Sequence, residues 1–277
     1  MNTNLNIICE DFSYIKGFLK NEAGIVIDED KLYLVESRLS PILKNEGLQS
    51  FKELVIKLRL ERFGDFHQKV IEAMTTNETS FFRDFHPFEA FKNIITNEIL
   101  NEKNFERSFK VWSAACSTGQ EAYSIAIILN EMKEIFKQWE IKITASDISK
   151  EMIDRASRGI YNQLEVNRGL NDYYLNKYFK FNNHGWAVNE NLNSMVQFTR
   201  INLVGYWPEM PVQDIIFLRH VLIYFDIPTR REILNKIKKV LKPGGYLILG
   251  VGETTNNIDD SFDGVHIGKT ICYKLKK

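Results

Sequence analysis

The stretch Lys110–Asp147 constrains the fold more than any other part of the chain. Lys110-Val111-Trp112-Ser113-Ala114-Ala115 is a short apolar run of the buried-strand type, and Cys116-Ser117-Thr118-Gly119-Gln120-Glu121 is a turn of mostly small residues. Ile125, Ile128, Leu129, Met132 and Phe136 then recur at three- and four-residue spacings, which predicts a helix. Ile141-Lys142-Ile143-Thr144-Ala145-Ser146 reads as a second strand, closed by Asp147. Strand, small-residue loop, helix, strand and carboxylate make the opening unit of an open parallel sheet. Ligands of such sheets bind at the carboxyl ends of the strands, beside the first turn.

The residue types in that unit narrow the ligand. Ser117, Thr118 and Gly119 let a ligand approach the backbone, and Gly119 tolerates φ > 0. A carboxylate closing the second strand can accept both hydroxyls of a ribose. The loop holds one glycine, so the GxGxxG fingerprint is absent. That disfavours NAD or FAD and favours an adenosyl cofactor without a pyrophosphate. The same pattern also fits an ordinary turn with a solvated aspartate, and the unit alone leaves both readings open.

Residues 1–75 read as an all-α domain. Phe12, Ile15, Phe18 and Leu19 form one amphipathic stripe; Leu32, Val35, Leu39, Ile42 and Leu43 a second; Phe51, Leu54, Val55 and Leu58 a third; Phe66, Val70, Ile71 and Met74 a fourth. Ser50 with Glu53 resembles a capping box. Lys31, Arg38, Lys44, Lys52, Lys57, Arg59 and Arg62 lie on these helices among as many acidic residues, the pattern of solvated helix faces. The 36 basic and 36 acidic residues of the 277-residue chain cancel, so no overall field favours nucleic acid or a membrane surface. Cys9, Cys116 and Cys272 are widely spaced and odd in number, which fits neither a disulfide framework nor a metal site and points to a reducing compartment. No signal-peptide pattern and no apolar run of membrane-spanning length is expected to be found.

Residues 76–90 read as a linker, either a plain connection or one that folds over the cofactor: polar at Thr76-Asn77-Glu78-Thr79, then Phe81-Phe82-Arg83-Asp84. Residues 91–277 continue as α/β. Ser149 is expected to cap a helix carrying Met152, Ile153 and Ala156. Tyr178–Val188 reads as a hairpin about Asn182-Asn183-His184-Gly185, and Ser194–Ile201 as a further strand, giving a small antiparallel β insert at about 178–201. Asp214–Leu218 is a buried strand. Thr229 is expected to cap the next helix, which Lys242-Pro243-Gly244-Gly245 ends before a strand at Tyr246–Gly250.

Four motifs in order carry a resemblance: Thr76-Asn77-Glu78-Thr79-Ser80-Phe81-Phe82-Arg83, Val111-Trp112-Ser113-Ala114-Ala115-Cys116-Ser117-Thr118-Gly119, Ala145-Ser146-Asp147-Ile148 and Arg219-His220-Val221-Leu222-Ile223-Tyr224-Phe225. Together with Leu32–Leu39 they resemble the chemotaxis receptor glutamate methyltransferases, the CheR family. The resemblance implies a Rossmann-like class I methyltransferase sheet with a small antiparallel β insert, preceded by the all-α domain. It implies S-adenosylmethionine as cofactor and S-adenosylhomocysteine as product. Asn77, Thr79, Arg83, Ser117, Gly119, Glu121, Asp147, Asn202, Leu203, Arg219 and His220 would line the cofactor pocket, with Glu121 beside the methionine portion and Asp147 on the ribose. Arg83 and Tyr224 are the candidate catalytic residues, and no metal is expected.

The implied reaction is methyl transfer to glutamate carboxylates on the cytoplasmic helices of a methyl-accepting chemotaxis receptor, by a cytoplasmic monomer without nucleic-acid or membrane-inserted partners. Lys31, Arg38, Lys52, Lys57, Arg59 and Arg62 are candidates for guiding acidic receptor side chains. Three positions depart from the family pattern: Gln120-Glu121-Ala122 for Glu-Glu-Pro, His220 for Asn, and Gly250-Val251-Gly252-Glu253 for Gly-His-Ser-Glu. They leave two other readings open: a class I methyltransferase acting on another substrate, and a cofactor-binding sensing or scaffold module without turnover.

Overall fold

A computed structural model describes residues 7–100 and 106–277, so the first six residues of the expected helical domain lie outside it. The chain forms two compact units. One holds residues up to Thr76 with Asn202–Tyr206 and Tyr224–Thr229; the other holds Asn77–Ile201, Trp207–Ile223 and Arg230–Lys277.

The first unit contains helices α1 (Cys9–Ala23), α2 (Leu32–Asn45), α3 (Phe51–Leu60) and α4 (Asp65–Met74). The four stripes read from the sequence supply its core: Phe12, Ile15, Leu19, Val35, Leu39, Leu43, Leu54, Leu58, Val70 and Ile71 are buried. The Ser50 hydroxyl accepts from Glu53 N at 3.2 Å and caps α3, while the Glu53 carboxylate reaches back one residue further, to Gln49 N at 2.8 Å. α1 ends on Gly24 at φ 70°, where a Cβ would stand 2.6 Å from Val204 and 2.9 Å from Phe225. The two returning segments of the unit therefore need glycine there. They are tied in by Asn202 Nδ2 to Glu22 O at 2.7 Å, Val26 N to Tyr224 O at 3.0 Å, and Lys20 to Asp226 at 2.8 Å.

Arg38 is not a free surface cation. Its guanidinium donates to Met74 O at 2.8 Å, Thr75 O at 3.0 Å and Thr76 Oγ1 at 3.0 Å, satisfying carbonyls at the end of α4 that have no helical partner. Lys57 is paired with Glu46 at 2.7 Å, and Lys31 with Asp30 at 3.4 Å.

The second unit is built on one seven-stranded sheet, order β6-β2-β1-β7-β8-β10-β9. Its strands are β1 (Ser108–Ala114), β2 (Glu140–Asp147), β6 (Val196–Arg200), β7 (Gln213–Leu218), β8 (Leu241–Leu249), β9 (Phe262–Ile267) and β10 (Thr270–Leu275). The first five run parallel, and β10 is antiparallel to both β8 and β9. β1 pairs with β2 on one side and β7 on the other, so the order reverses between β1 and β7, the place where sheets of this kind bind ligands at the strands' carboxyl ends. Helix α5 (His86–Ile94) precedes β1 and runs on into a π-helical turn, Ile95–Ile99. Helix α6 (Gln120–Glu131) links β1 to β2. Ten consecutive residues of α6, Gln120 to Leu129, are buried, as expected of a helix that is apolar nearly all round.

Three expectations are corrected. Val196–Arg200 is not the third strand of the insert; it pairs in parallel with β2 at the edge of the main sheet. The small sheet is instead β3-β5-β4, in which Ile160–Tyr161 (β3) joins the hairpin of Phe179–Asn182 (β4) and Gly185–Val188 (β5). The helix Ile227–Val240 is capped by Asp226, whose Oδ1 accepts from Thr229 N at 3.0 Å, so Thr229 is the capped residue. After it, β8 begins at Leu241, and Lys242-Pro243-Gly244-Gly245 lies within the strand. Ser149 does cap its helix (Lys150–Arg158), accepting from Met152 N at 3.2 Å.

Candidate active site at the carboxyl ends of the strands

The turn after β1 is shaped by backbone conformations that side chains resist. Ala115 and Ser117 have φ of 58° and 50°, and Gly119, at 92°, opens α6. A Cβ on Gly119 would stand 2.9 Å from Ala156 Cβ and 3.2 Å from the Tyr161 hydroxyl. That hydroxyl donates to Thr118 O at 2.7 Å, and burial pushes its pKa well up, so it stays a donor. The Cys116 thiol is buried too; burial first, then the charges of Asp147 and Glu121, push its pKa up and leave it unreactive.

Asp147 holds this turn against the end of β2. Its Oδ2 accepts from Ser117 N at 2.8 Å and its Oδ1 from Ser149 N at 3.0 Å. The Ser117 hydroxyl in turn donates to Asn77 O at 2.8 Å, tying the start of the linker to the turn. Neither the Asn77 nor the Thr79 side chain has a hydrogen-bond partner within the protein among the described residues.

A second network lies between β1 and β7. Ser113, inside β1, donates to Glu121 Oε1 at 2.7 Å, and Arg219, just past β7, donates to Glu121 Oε2 at 2.8 Å. The other arm of Arg219 donates to Arg83 O at 2.7 Å and Asp84 Oδ2 at 2.8 Å, and its guanidinium lies 5.5 Å from the Phe88 ring centre. The Arg219 side chain is 1% exposed, and its Nε is buried without a partner among the described residues. The His220 Nε2 lies 2.7 Å from the same Asp84 oxygen. A carboxylate only accepts, so that contact assigns the proton to Nε2. Burial works to raise the Asp84 pKa, but the hydrogen bond from His220 and the charge of Arg219 outweigh it and hold the carboxyl below its ordinary value.

Of the residues singled out in the sequence, the second unit brings Ser117, Gly119, Asp147 and Asn77 into one cluster and Glu121, Arg219, His220 and Arg83 into another. Arg83 takes part through its carbonyl, while its guanidinium donates to Glu78 O at 2.6 Å. Asn202, Leu203 and Tyr224 belong to the first unit. Two participants have no role in the sequence reading: Ser113 and Asp84. Asp84 stands beside Arg83 at the end of the linker stretch, and that position is the available signal.

A parallel sheet reversing at β1/β7, with a carboxylate ending β2 and a one-glycine turn after β1, defines a class I methyltransferase fold. Residues 10–75 match the family described as CheR methyltransferase, all-alpha domain, and residues 77–271 match CheR methyltransferase, SAM binding domain. The chemotaxis protein methyltransferase 1 of Pseudomonas aeruginosa is 38% identical over 270 residues, covering 96% of this chain and 98% of that one. The chemotaxis protein methyltransferase Cher2 of Pseudomonas putida is 38% identical over 271 residues, 96% and 98% of the two chains. That of Vibrio parahaemolyticus is 36% identical over 277 residues, 99% and 100%. The chain belongs to the CheR methyltransferase family and is an S-adenosylmethionine-dependent methyltransferase.

Proposed function

We propose that this enzyme methylates glutamate side-chain carboxylates on the cytoplasmic helices of a methyl-accepting chemotaxis receptor, working in the cytoplasm as a monomer. The observation that carries the reading is the buried Arg219, which bridges Glu121 and Asp84 at the β1/β7 reversal, beside the turn that Asp147 holds. Buried ion pairs add little to stability. A site that keeps one at the strands' carboxyl ends is suited to a ligand carrying charges of both signs.

The donor set fits S-adenosylmethionine. Asp147 closes the second strand with a carboxylate, the group type that accepts ribose hydroxyls, Glu121 is an anion for the ammonium, and Asn77 and Thr79 have side chains without protein partners among the described residues. The cofactor, when bound, supplies a methyl group on a cationic sulfur. Residues 76–90 act as a linker contributing to the pocket, between the helical domain of residues 1–75 and the methyltransferase domain of residues 91–277. Ser117, Gly119, Arg219 and His220 complete the part of the cofactor site that the second unit supplies. Arg83 steers the incoming carboxylate.

A glutamate carboxylate, with a pKa of about 4.3, is already ionised at neutral pH, so the chain needs no general base. Its task is alignment, a contribution on the order of 7–11 kcal/mol in well-oriented reactions. The test is chemical. Receptor methylated with labelled cofactor should release its label as volatile methanol in mild base, as a carboxyl methyl ester does. Label that stays on the protein after base treatment rules out the carboxylate as acceptor.

A further inference from the structure

We infer that Glu253 is a positioning residue for the cofactor site: its carboxylate gathers the backbone N–H groups at the ends of two strands and thereby fixes the Arg219-His220 turn. The inference rests on the reading of Arg219 as a cofactor-site residue.

The geometry is local and complete. Glu253 Oε2 accepts from His220 N at 2.7 Å and from Gly250 N at 2.8 Å, and Oε1 accepts from Ile223 N at 3.3 Å. His220 and Ile223 follow β7, and Gly250 follows β8, so one side chain joins the carboxyl ends of neighbouring strands. The backbone of Glu253 is itself held: its N–H donates to Gly250 O at 3.1 Å, and Tyr273 Oη lies 3.4 Å from Glu253 O as donor.

Two further observations show that the neighbouring chain accommodates this contact. A Cβ on Gly250 would stand 2.7 Å from Glu253 Oε2, 2.7 Å from His220 N and 2.8 Å from His220 Nδ1, so a side chain there would occupy the place of the carboxylate. His220 sits at φ 56°, a left-handed conformation uncommon for residues other than glycine. The short bond from its N–H to Glu253 helps to hold it there.

The consequence falls on Arg219. The left-handed turn at His220 places the imidazole on Asp84 while the preceding guanidinium spans Glu121 and Asp84. Without the carboxylate, three N–H groups must find water, His220 is released toward ordinary φ, and the guanidinium loses its fixed origin. Glu253 touches neither Arg219 nor its carboxylate partners through any of these bonds; it acts through the backbone.

The test is a double-mutant cycle read by calorimetric titration with S-adenosylhomocysteine, with melting temperature followed in parallel. The variants are Glu253→Ala, Glu253→Gln and Arg219→Lys, the last keeping the charge but losing the planar fork. Glu253→Ala should weaken binding roughly five- to fiftyfold, the range expected of residues coupled in one network. Glu253→Gln should restore most of it, because one oxygen can keep the two short bonds. In Arg219→Lys the further loss on adding Glu253→Ala should be much smaller than in the parent, since Glu253 then has no fork to position. If Glu253→Ala shows no melting transition, Glu253→Asp replaces it: it keeps the charge but is one methylene too short for three N–H groups. Losses that simply add, or no rescue by glutamine, overturn the inference and leave Glu253 a fold-stabilising residue. Parent-like binding by Arg219→Lys and by Arg219→Met overturns the site reading and the inference with it.

Discussion

In the helical unit Glu46 meets Lys57 at 2.7 Å and Lys69 at 2.8 Å, with side chains 19%, 25% and 59% exposed. At the carboxyl ends of β1 and β7 Arg219 meets Glu121 and Asp84 at the same 2.8 Å; Asp84 is 31% exposed, but the arginine is 1% and the glutamate 11% exposed, so the Arg219–Glu121 pair is the buried one. Distances alone make the two clusters look alike; desolvation separates them. The first gains little from pairing in high dielectric and surrounds a core that stands on apolar stripes. The second takes charges out of water, which costs more than it returns unless a ligand uses them. Six of the nine non-glycine residues with positive φ among those described, Phe82, Asp84, Phe85, Ala115, Ser117 and His220, lie in the linker and the strand-end turns that build the second cluster. Charge burial and backbone strain converge at the candidate site and not in the helical unit.

The comparison breaks first at Arg219. Arg219→Met leaves Glu121 and Asp84 facing each other without their cation. We expect a loss of about 3–5 kcal/mol in unfolding free energy together with loss of S-adenosylhomocysteine binding, by denaturant titration and calorimetry. A loss no larger than that of a surface pair would place Arg219 in the same class as Lys57. Asp147→Ala should come next. It removes the acceptor of Ser117 N and Ser149 N, and the affinity for S-adenosylhomocysteine should fall roughly ten- to hundredfold, as for other charge-assisted hydrogen bonds. An unchanged dissociation constant would reduce Asp147 to a turn-holding residue.

How much of this was legible in the sequence follows the same division. The β1–turn–α6–β2 unit and the four helical stripes were readable because their signals are local periodicities. Asp84 was not readable as the partner of Arg219, because 135 positions separate them and nothing in either neighbourhood announces the pair. Arg38 looked like a surface cation because its acceptors are main-chain carbonyls more than 35 residues away, to which sequence is blind. Ser194–Ile201 reads as part of the insert because it follows the hairpin directly, whereas β2, the partner of its strand, lies some fifty residues back. Asp226 and Thr229 are both capping types, and only the structure shows that the helix starts at Ile227.

Acid should sharpen the comparison by a smaller amount. Asp84 has a folded-state pKa below its ordinary 3.8, despite burial, through His220 and Arg219. A depressed carboxyl pKa contributes stability that is fully present above the unfolded value and is lost as pH falls through the folded one. The gap in melting temperature between the parent and Asp84→Asn should therefore be open at neutral pH and close below about pH 4. A gap that persists undiminished at pH 3 would mean that the carboxylate's charge is not what Asp84 contributes.

The smallest effect belongs to the outer face of the helical unit, where the proposed receptor contact is tested. Arg38 is committed to the end of α4 and Lys57 to Glu46, so the cations left for guiding an acidic helix are Lys52, Arg59 and Arg62. Arg59 also lies over the Tyr14 ring, 4.4 Å from its centre, and is the best-held of the three. Exposed charges of this kind act on a partner through a screened field, so each should matter by roughly the value of one surface ion pair. Lys52→Glu combined with Arg62→Glu should slow receptor methylation roughly two- to fivefold at low ionic strength, leave S-adenosylhomocysteine affinity and melting temperature at the parent values, and converge on the parent rate near 0.5 M salt, where the screening length has shrunk to roughly 4 Å. Equal rates at low salt would make this face as indifferent to receptor as the Glu46 cluster is to stability. A rate loss that persists at high salt would mean that the substitutions act through packing, and the guiding role would pass from charge to the apolar Ile56 and Leu60, which are exposed on the same helix.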